Sequence, residues 1–236
     1  MPRQKQTDSL FQHVWMTFGA APRVALIFAA AGGFVSAAID LILWFTGTKQ
    51  AITTSIGVAV SVAVVVVAQY AISMTMAERQ LSVLGFSRYA ATGVALFLPA
   101  ALAFCTAWVL PGLIGKSLSG SIFLCLLLIG LAFILLLPAW PVAQAASSRI
   151  VSPWRVFRAA SGQWWSFLLL ATATGGLGKW VPPLSTAQDA PNAAMLAALH
   201  GAVNVALDLL FASIAVSSWQ LACRKDSGLT GDAPEK

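Results

Sequence analysis

The 236 residues are 58% hydrophobic and only 9% charged, against roughly 25% charged in soluble globular domains. Fourteen Lys and Arg with eight Asp and Glu cannot clothe a water-facing exterior for a chain of this length, which excludes a water-soluble enzyme. The net charge of +6 lies beside apolar runs, so its counter-charge is the anionic headgroup layer and not nucleic acid.

In chain order, a short polar tail leads into Leu10, Phe11, Val14, Trp15 and Phe18, which recur at helical spacing and predict an interfacial helix. Six stretches then reach the roughly 20 apolar residues needed to cross a hydrocarbon core of about 30 Å: 24–45, 55–73, 91–113, 121–142, 164–184 and 195–223. The expected organisation is a tail and surface helix over 1–23, a six-span domain over 24–223 and a flexible cytoplasmic tail over 224–236. The fold class is all-α, a polytopic bundle, because helices satisfy their own backbone groups inside lipid. The first apolar run exceeds the roughly 7 to 15 residues of a secretory signal, so it is expected to remain as an anchor. Pro99 should kink the third span. In the fifth, Gly175, Gly176 and Gly178, then Lys179 and Pro182-Pro183, read as a short helix with a glycine cap, with a discontinuous transporter helix as the alternative.

Lys and Arg are retained on the cytoplasmic side. With both termini inside, 11 of the 14 basic residues are cytoplasmic, leaving Lys49, Lys116 and Lys179 outside. Trp placement agrees, since indole favours the headgroup boundary. Trp44, Trp108 and Trp180 fall toward the outer boundary, while Trp15, Trp140, Trp154, Trp164, Trp165 and Trp219 fall toward the inner one.

Ser152-Pro153 opens a second surface segment, with Trp154 and Phe157 apolar and Arg155 and Arg158 polar. A shift of 143 residues aligns Ser9 with Ser152, Gly19 with Gly162, and Gly32-Gly33 with Gly175-Gly176. The stretch 76–89 is a candidate third unit built as surface helix then hairpin. The three cysteines, Cys105, Cys125 and Cys223, have no CxxC pattern and read as small apolar core residues.

The run Leu137-Pro138-Ala139-Trp140-Pro141-Val142-Ala143, then Ser152-Pro153-Trp154-Arg155-Val156-Phe157-Arg158 and Gly162-Gln163-Trp164-Trp165, resembles a pattern in bacterial six-span proteins of uncertain function. These are similar to the membrane domain attached to some glycerophosphodiester phosphodiesterases. The resemblance covers about 30 residues and implies a helical inner-membrane bundle, not an activity. No counterpart of the soluble catalytic domain is present, and two histidines do not furnish its metal site.

Ionisable residues inside spans are functional candidates, since each costs at least about 2.5 kcal/mol near the bilayer centre on insertion scales. Asp40 lies in the first span, and His200, Asn204 and Asp208 form a stripe at four-residue intervals in the sixth. Gly32, Ser36 and Asp40 repeat that spacing. Asp40 and His200 lie at similar depth below the outer boundary, so the stripes can face each other, and a paired imidazolium and carboxylate would stabilise one another. Asp208 would then lie deeper, with Asn204 as its nearest same-helix partner. Together the four residues are a candidate polar path for a solute or proton, with interhelical hydrogen bonding as the alternative role. Ala29, Gly33 and Ala37, and Gly57 and Ser61, have the small-residue spacing that lets helices pack closely.

Gly115-Lys116-Ser117 lacks the earlier glycine of a phosphate-binding loop, and no nucleophile elbow is present. No catalytic residue, metal ligand set or cofactor is therefore expected. The function read from the sequence is an integral inner-membrane protein, non-enzymatic, that assembles with or regulates another component. The rival is a small-solute or proton-coupled transporter, and a lipid-modifying enzyme stands third. Expected partners are membrane lipids and a membrane protein or second copy of the chain, with no nucleic acid.

Overall fold

A computed structural model describes residues 9–46, 51–109, 116–161, 172 and 181–230. Among these there are eight α-helices, two 3-10 turns and no strand. In order they are α1 (Leu10–Gly19), α2 (Arg23–Thr46), α3 (Ala51–Met76), α4 (Val83–Val109), α5 (Lys116–Leu136), α6 (Trp140–Ala146), α7 (Pro153–Ala160) and α8 (Ala190–Lys225), with turns at Leu184–Thr186 and Ser227–Leu229. Three helical stretches are long and apolar enough to cross a membrane: Arg23–Thr46, Ala59–Met76 and Ala190–Lys225. Val83–Pro99 and Ser119–Ile134 are shorter apolar stretches. The expected fifth span lies, except for Thr172 and residues 181–184, outside the described residues.

The chain divides into two units, Met1–Ser82 with Leu169–Ser217, and Val83–Leu168 with Ser218–Lys236. In the first, Ser9 caps α1 by accepting from the Gln12 N–H at 3.3 Å. Its apolar residues split into two neighbouring stripes. Leu10 and Val14 are buried in protein, while Phe11 and Trp15 are exposed. That double face suits a helix lying between a protein core and the lipid interface. The Thr17 and Ser217 hydroxyls meet at 3.0 Å, fastening α1 to α8. Helix α2 packs on α3, and its buried residues are Ala25, Ala29, Gly32, Gly33 and Ser36.

Helix α3 ends in a Schellman closure, with Arg79 N donating to Met74 O and Glu78 N to Thr75 O. Glu78 takes the left-handed conformation at φ 55°, where glycine is usual. Tyr70 holds the following turn, its hydroxyl bonding both Ser82 O and Ser82 N at 2.8 and 2.9 Å. The expected surface helix over 76–89 is therefore absent. Its first residues close α3 and its last belong to α4, which begins eight residues before the expected span.

In the second unit, α4 packs on α5 and α6. The segment that carries the family resemblance forms a clamp. Gln144 is buried, donates to Val151 O at 2.7 Å and accepts from Val151 N at 3.2 Å, while Trp140 Nε1 donates to the same carbonyl at 2.9 Å. Arg88 Nη1 donates to Ser147 O at 2.6 Å, a cation placed where a helix end presents unpaired carbonyls. The link between α6 and α7 is thus gripped at both ends.

The first residues of the tail expected over 224–236 are folded. Arg224 and Lys225 complete α8, and the next turn folds back so that Leu229 is fully buried. Trp219 Nε1 and Ser147 Oγ both donate to Leu229 O, at 3.2 and 3.3 Å. Of the cysteines, Cys125 is exposed on α5, not in a core, and Cys223 is half-buried. The side chain of Cys105 is outside the described set.

Arg155 grips Asp226 with two parallel bonds, Nε to Oδ2 at 2.5 Å and Nη2 to Oδ1 at 2.6 Å. The bonded guanidinium and the Gly228 N–H hold the Asp226 carboxyl below the usual carboxylate range, partly opposed by desolvation. A depressed folded-state pKa contributes stability above about pH 4, the unfolded value, and loses it as pH falls through the folded value. The exposed pair contributes under about 1 kcal/mol. Amide protection at Gly228 and Leu229, corrected for intrinsic exchange, should therefore hold from neutral pH to about pH 4 and drop below it. Asp226→Asn should flatten that profile, and an unchanged profile would remove the pair as its cause.

Candidate functional site

The two polar stripes face each other in the first unit. Their approach is set by glycine. A Cβ at Gly33 would stand 2.6 Å from Gly201 O and 2.5 Å from Val205 Cγ2, and one at Gly201 would stand 2.8 Å from Gly33 O and 3.0 Å from Ala37 Cβ. The backbones of α2 and α8 touch here, as small residues permit.

On one side of this crossing, His200 Nδ1 lies 3.5 Å from Asp40 Oδ2. His200 Nε2 lies 3.0 Å from Pro182 O. A carbonyl only accepts, so this ring nitrogen carries the hydrogen. A hydrogen bond across the gap to Asp40 then needs one further proton, on Nδ1 or on the carboxyl. Both side chains are partly open, 23% exposed for His200 and 37% for Asp40. They border a cavity of about 370 Å³ with Leu43, Trp44 and the 182–186 turn, whose residues Pro183, Leu184 and Ser185 line it. The turn is held by Thr186 Oγ1 donating to Pro183 O at 2.7 Å, and α8 opens beyond it where Asp189 Oδ1 accepts from Asn192 N at 2.8 Å.

On the other side, Asp208 is buried. Its partner is Gln69 of α3, whose Nε2 donates to Asp208 Oδ1 at 2.8 Å and to Asp208 O at 3.1 Å. A Cβ at Gly32 would stand 3.1 Å from Ala68 Cβ, so glycine lets α2 and α3 approach closely here, with Asp208 Oδ2 at ordinary contact distance, 3.6 Å. The expected pairing with Asn204 does not form. Residues four apart on a helix drift about 40° around the axis, and Asn204 is half-buried without a hydrogen bond among the described residues.

The structure therefore joins Asp40 to His200 and joins Asp208 to a residue that sequence reasoning missed. The signal was available: Gln69 is the one amide in the 55–73 span. Gln144 was missed in the same way. Ser73, on α3, is fully buried and its hydroxyl has no hydrogen-bond partner among the described residues. Among the described residues, no three His, Cys, Asp or Glu side chains gather as a metal-binding group.

An all-helical chain with three stretches long and apolar enough to cross a membrane is a membrane-associated helical protein. Compared with protein-family models, curated proteins and solved structures, the chain matches none of them.

Proposed function

We propose that this chain is a six-span, non-enzymatic bundle of the bacterial inner membrane, with both termini in the cytosol, that assembles with or regulates another membrane component. Three long apolar helices, two shorter ones and the bias of 11 in 14 basic residues toward one side support the topology. The observation that carries the assembly reading over a transporter is the crossing at Gly33 and Gly201. It separates the Asp40–His200 pair from the Asp208–Gln69 pair, and His200 and Asp208 stand about 12 Å apart along α8. A proton path needs a continuous hydrogen-bonded chain, and the close approach of the Gly33 and Gly201 backbones narrows the interval between the two pairs. Apolar side chains at Val94, Phe97, Leu98 and Leu102 of α4 and Leu124, Leu128 and Leu131 of α5 are exposed, offering faces for lipid or a partner helix.

The rival reading draws on the open Asp40–His200 cavity. Purified protein in proteoliposomes should show no proton or solute flux above empty vesicles, with Asp40→Asn and Asp208→Asn the same as wild type. Flux abolished by either substitution would install the transporter instead. Native mass spectrometry from mild detergent should retain a second protein chain.

A further inference from the structure

The second unit carries a cationic recess that neither the polar stripes nor the assembly reading uses. It has a volume of about 470 Å³ and is lined by Trp154, Arg155 and Arg158 of α7 and by Lys225 and Asp226 at the end of α8, with Ser152 and Ala159 completing the wall. We propose that this recess binds the phosphate of an anionic phospholipid headgroup. The proposal rests on the membrane reading and adds a specific lipid site to it.

Each lining side chain has a distinct part. Arg155 commits Nε and Nη2 to Asp226, so that carboxylate is neutralised in place and does not repel an anion. Arg158 and Lys225 are exposed and have no carboxylate partner among the described residues, leaving the recess with about two uncompensated positive charges. Arg158 lies 5.7 Å above the Trp154 ring. That cation–π contact helps to place the guanidinium, whose N–H groups make no hydrogen bond among the described residues and are available to take two phosphate oxygens. Lys225 adds a mobile point charge opposite.

The site's position selects a lipid over soluble phosphate. Lys225 ends α8, the helix that carries an apolar stretch long enough to cross the membrane, and basic residues that follow such a stretch favour the anionic headgroup layer. Trp154 is 60% exposed and stacks on Phe157 at 5.4 Å, giving an indole anchor beside the charges. Val156, Ala159 and Ala160 are buried beneath, so α7 presents its cationic, aromatic side outward.

The test uses the full chain in mild detergent and native mass spectrometry, with phosphatidylglycerol and phosphatidylcholine of matched acyl chains, and inorganic phosphate as competitor. Wild type should retain phosphatidylglycerol preferentially. R158Q/K225Q should weaken that retention roughly 30-fold, about fivefold per cation, while R23Q/R149Q, which removes the same charge elsewhere, should change it less than about threefold. R158K/K225R should restore most of the binding, separating loss of charge from misfolding. Equal losses in the two charge-removing variants, or no preference between the two lipids, would overturn the site while leaving a detergent-extracted membrane protein intact. Displacement of the lipid by equimolar inorganic phosphate would overturn the lipid as its ligand. A chain that fractionates as soluble without detergent would overturn the membrane reading and the site together.

Discussion

Gly33→Ala should lower the thermal stability of the detergent-solubilised protein, and Gly33→Leu should prevent its recovery as a folded species. Alanine in a helix interior is worth up to about 1 kcal/mol over glycine, so the sign depends on what the added methyl meets. At Gly33 it meets a backbone carbonyl at 2.6 Å and Val205 Cγ2 at 2.5 Å. Valine can rotate; the Gly201 carbonyl belongs to the helix and cannot move alone. Overpacking of this kind costs about 1–3 kcal/mol, more when two helices must part along their length. The net for alanine is a loss of about 2 kcal/mol after the propensity gain, or roughly 4–8 °C for a chain of this size. Gly93 is the internal control, because among the described residues no atom outside its own helical turn lies within 4 Å of where its Cβ would be. Gly93→Ala should hold or raise the melting temperature by a few degrees. If Gly33→Ala and Gly93→Ala shift it alike, the α2 and α8 backbones are not in contact.

The sequence announced this crossing more clearly than the rest of the site. Ala29, Gly33 and Ala37 recur at four-residue spacing in an apolar helix, and the structure buries Ala29 and Gly33 and sets Gly33 and Ala37 against Gly201. Equal depth was enough to bring Asp40 to His200, because rise per residue is fixed in a helix. Depth alone did not locate the partner of Asp208. Reading spans for ionisable residues passes over uncharged amides, whose burial costs less and which leave a fainter mark in a run such as Val64 to Tyr70. Both Gln69 and Gln144 act through that omission: each is a side chain with donors and an acceptor placed where a carboxyl or a loop backbone would otherwise be unpaired. The helix boundary at Met76 was hidden for another reason. Glu78 occupies a position that glycine normally marks, so no residue type signalled the end of α3. Pairing of Arg155 with Asp226 spans 71 residues, and no local pattern encodes a contact at such separation.

Gln69→Leu should destabilise the protein more than Asp208→Asn does, although the carboxyl is the more costly group to bury. Removing Gln69 leaves Asp208 buried after losing both bonds that Gln69 Nε2 supplies. Stripping one partner from a buried polar pair exposes the full desolvation cost of the other, about 1–3 kcal/mol for a neutral group and 3–5 kcal/mol for a charged one. An asparagine side chain in place of Asp208 keeps a carbonyl oxygen where Oδ1 stood and still accepts from Gln69, so its cost should stay under about 1 kcal/mol. The double variant Gln69→Leu with Asp208→Leu removes donor and acceptor together. It should be milder than the sum of the two single leucine variants by about 1–3 kcal/mol, the coupling expected of residues in direct contact. Unfolding midpoints of these variants in one detergent would supply the cycle. Strict additivity would mean that the 2.8 Å bond contributes nothing. The same set bears on function, since Asp208→Asn removes the titratable carboxyl without removing the bond. If the Asp208→Asn protein folds and keeps its native assembly, the residue serves to hold α3 against α8, whereas a variant that folds but loses a measurable flux shows the carboxyl acting as a carboxyl.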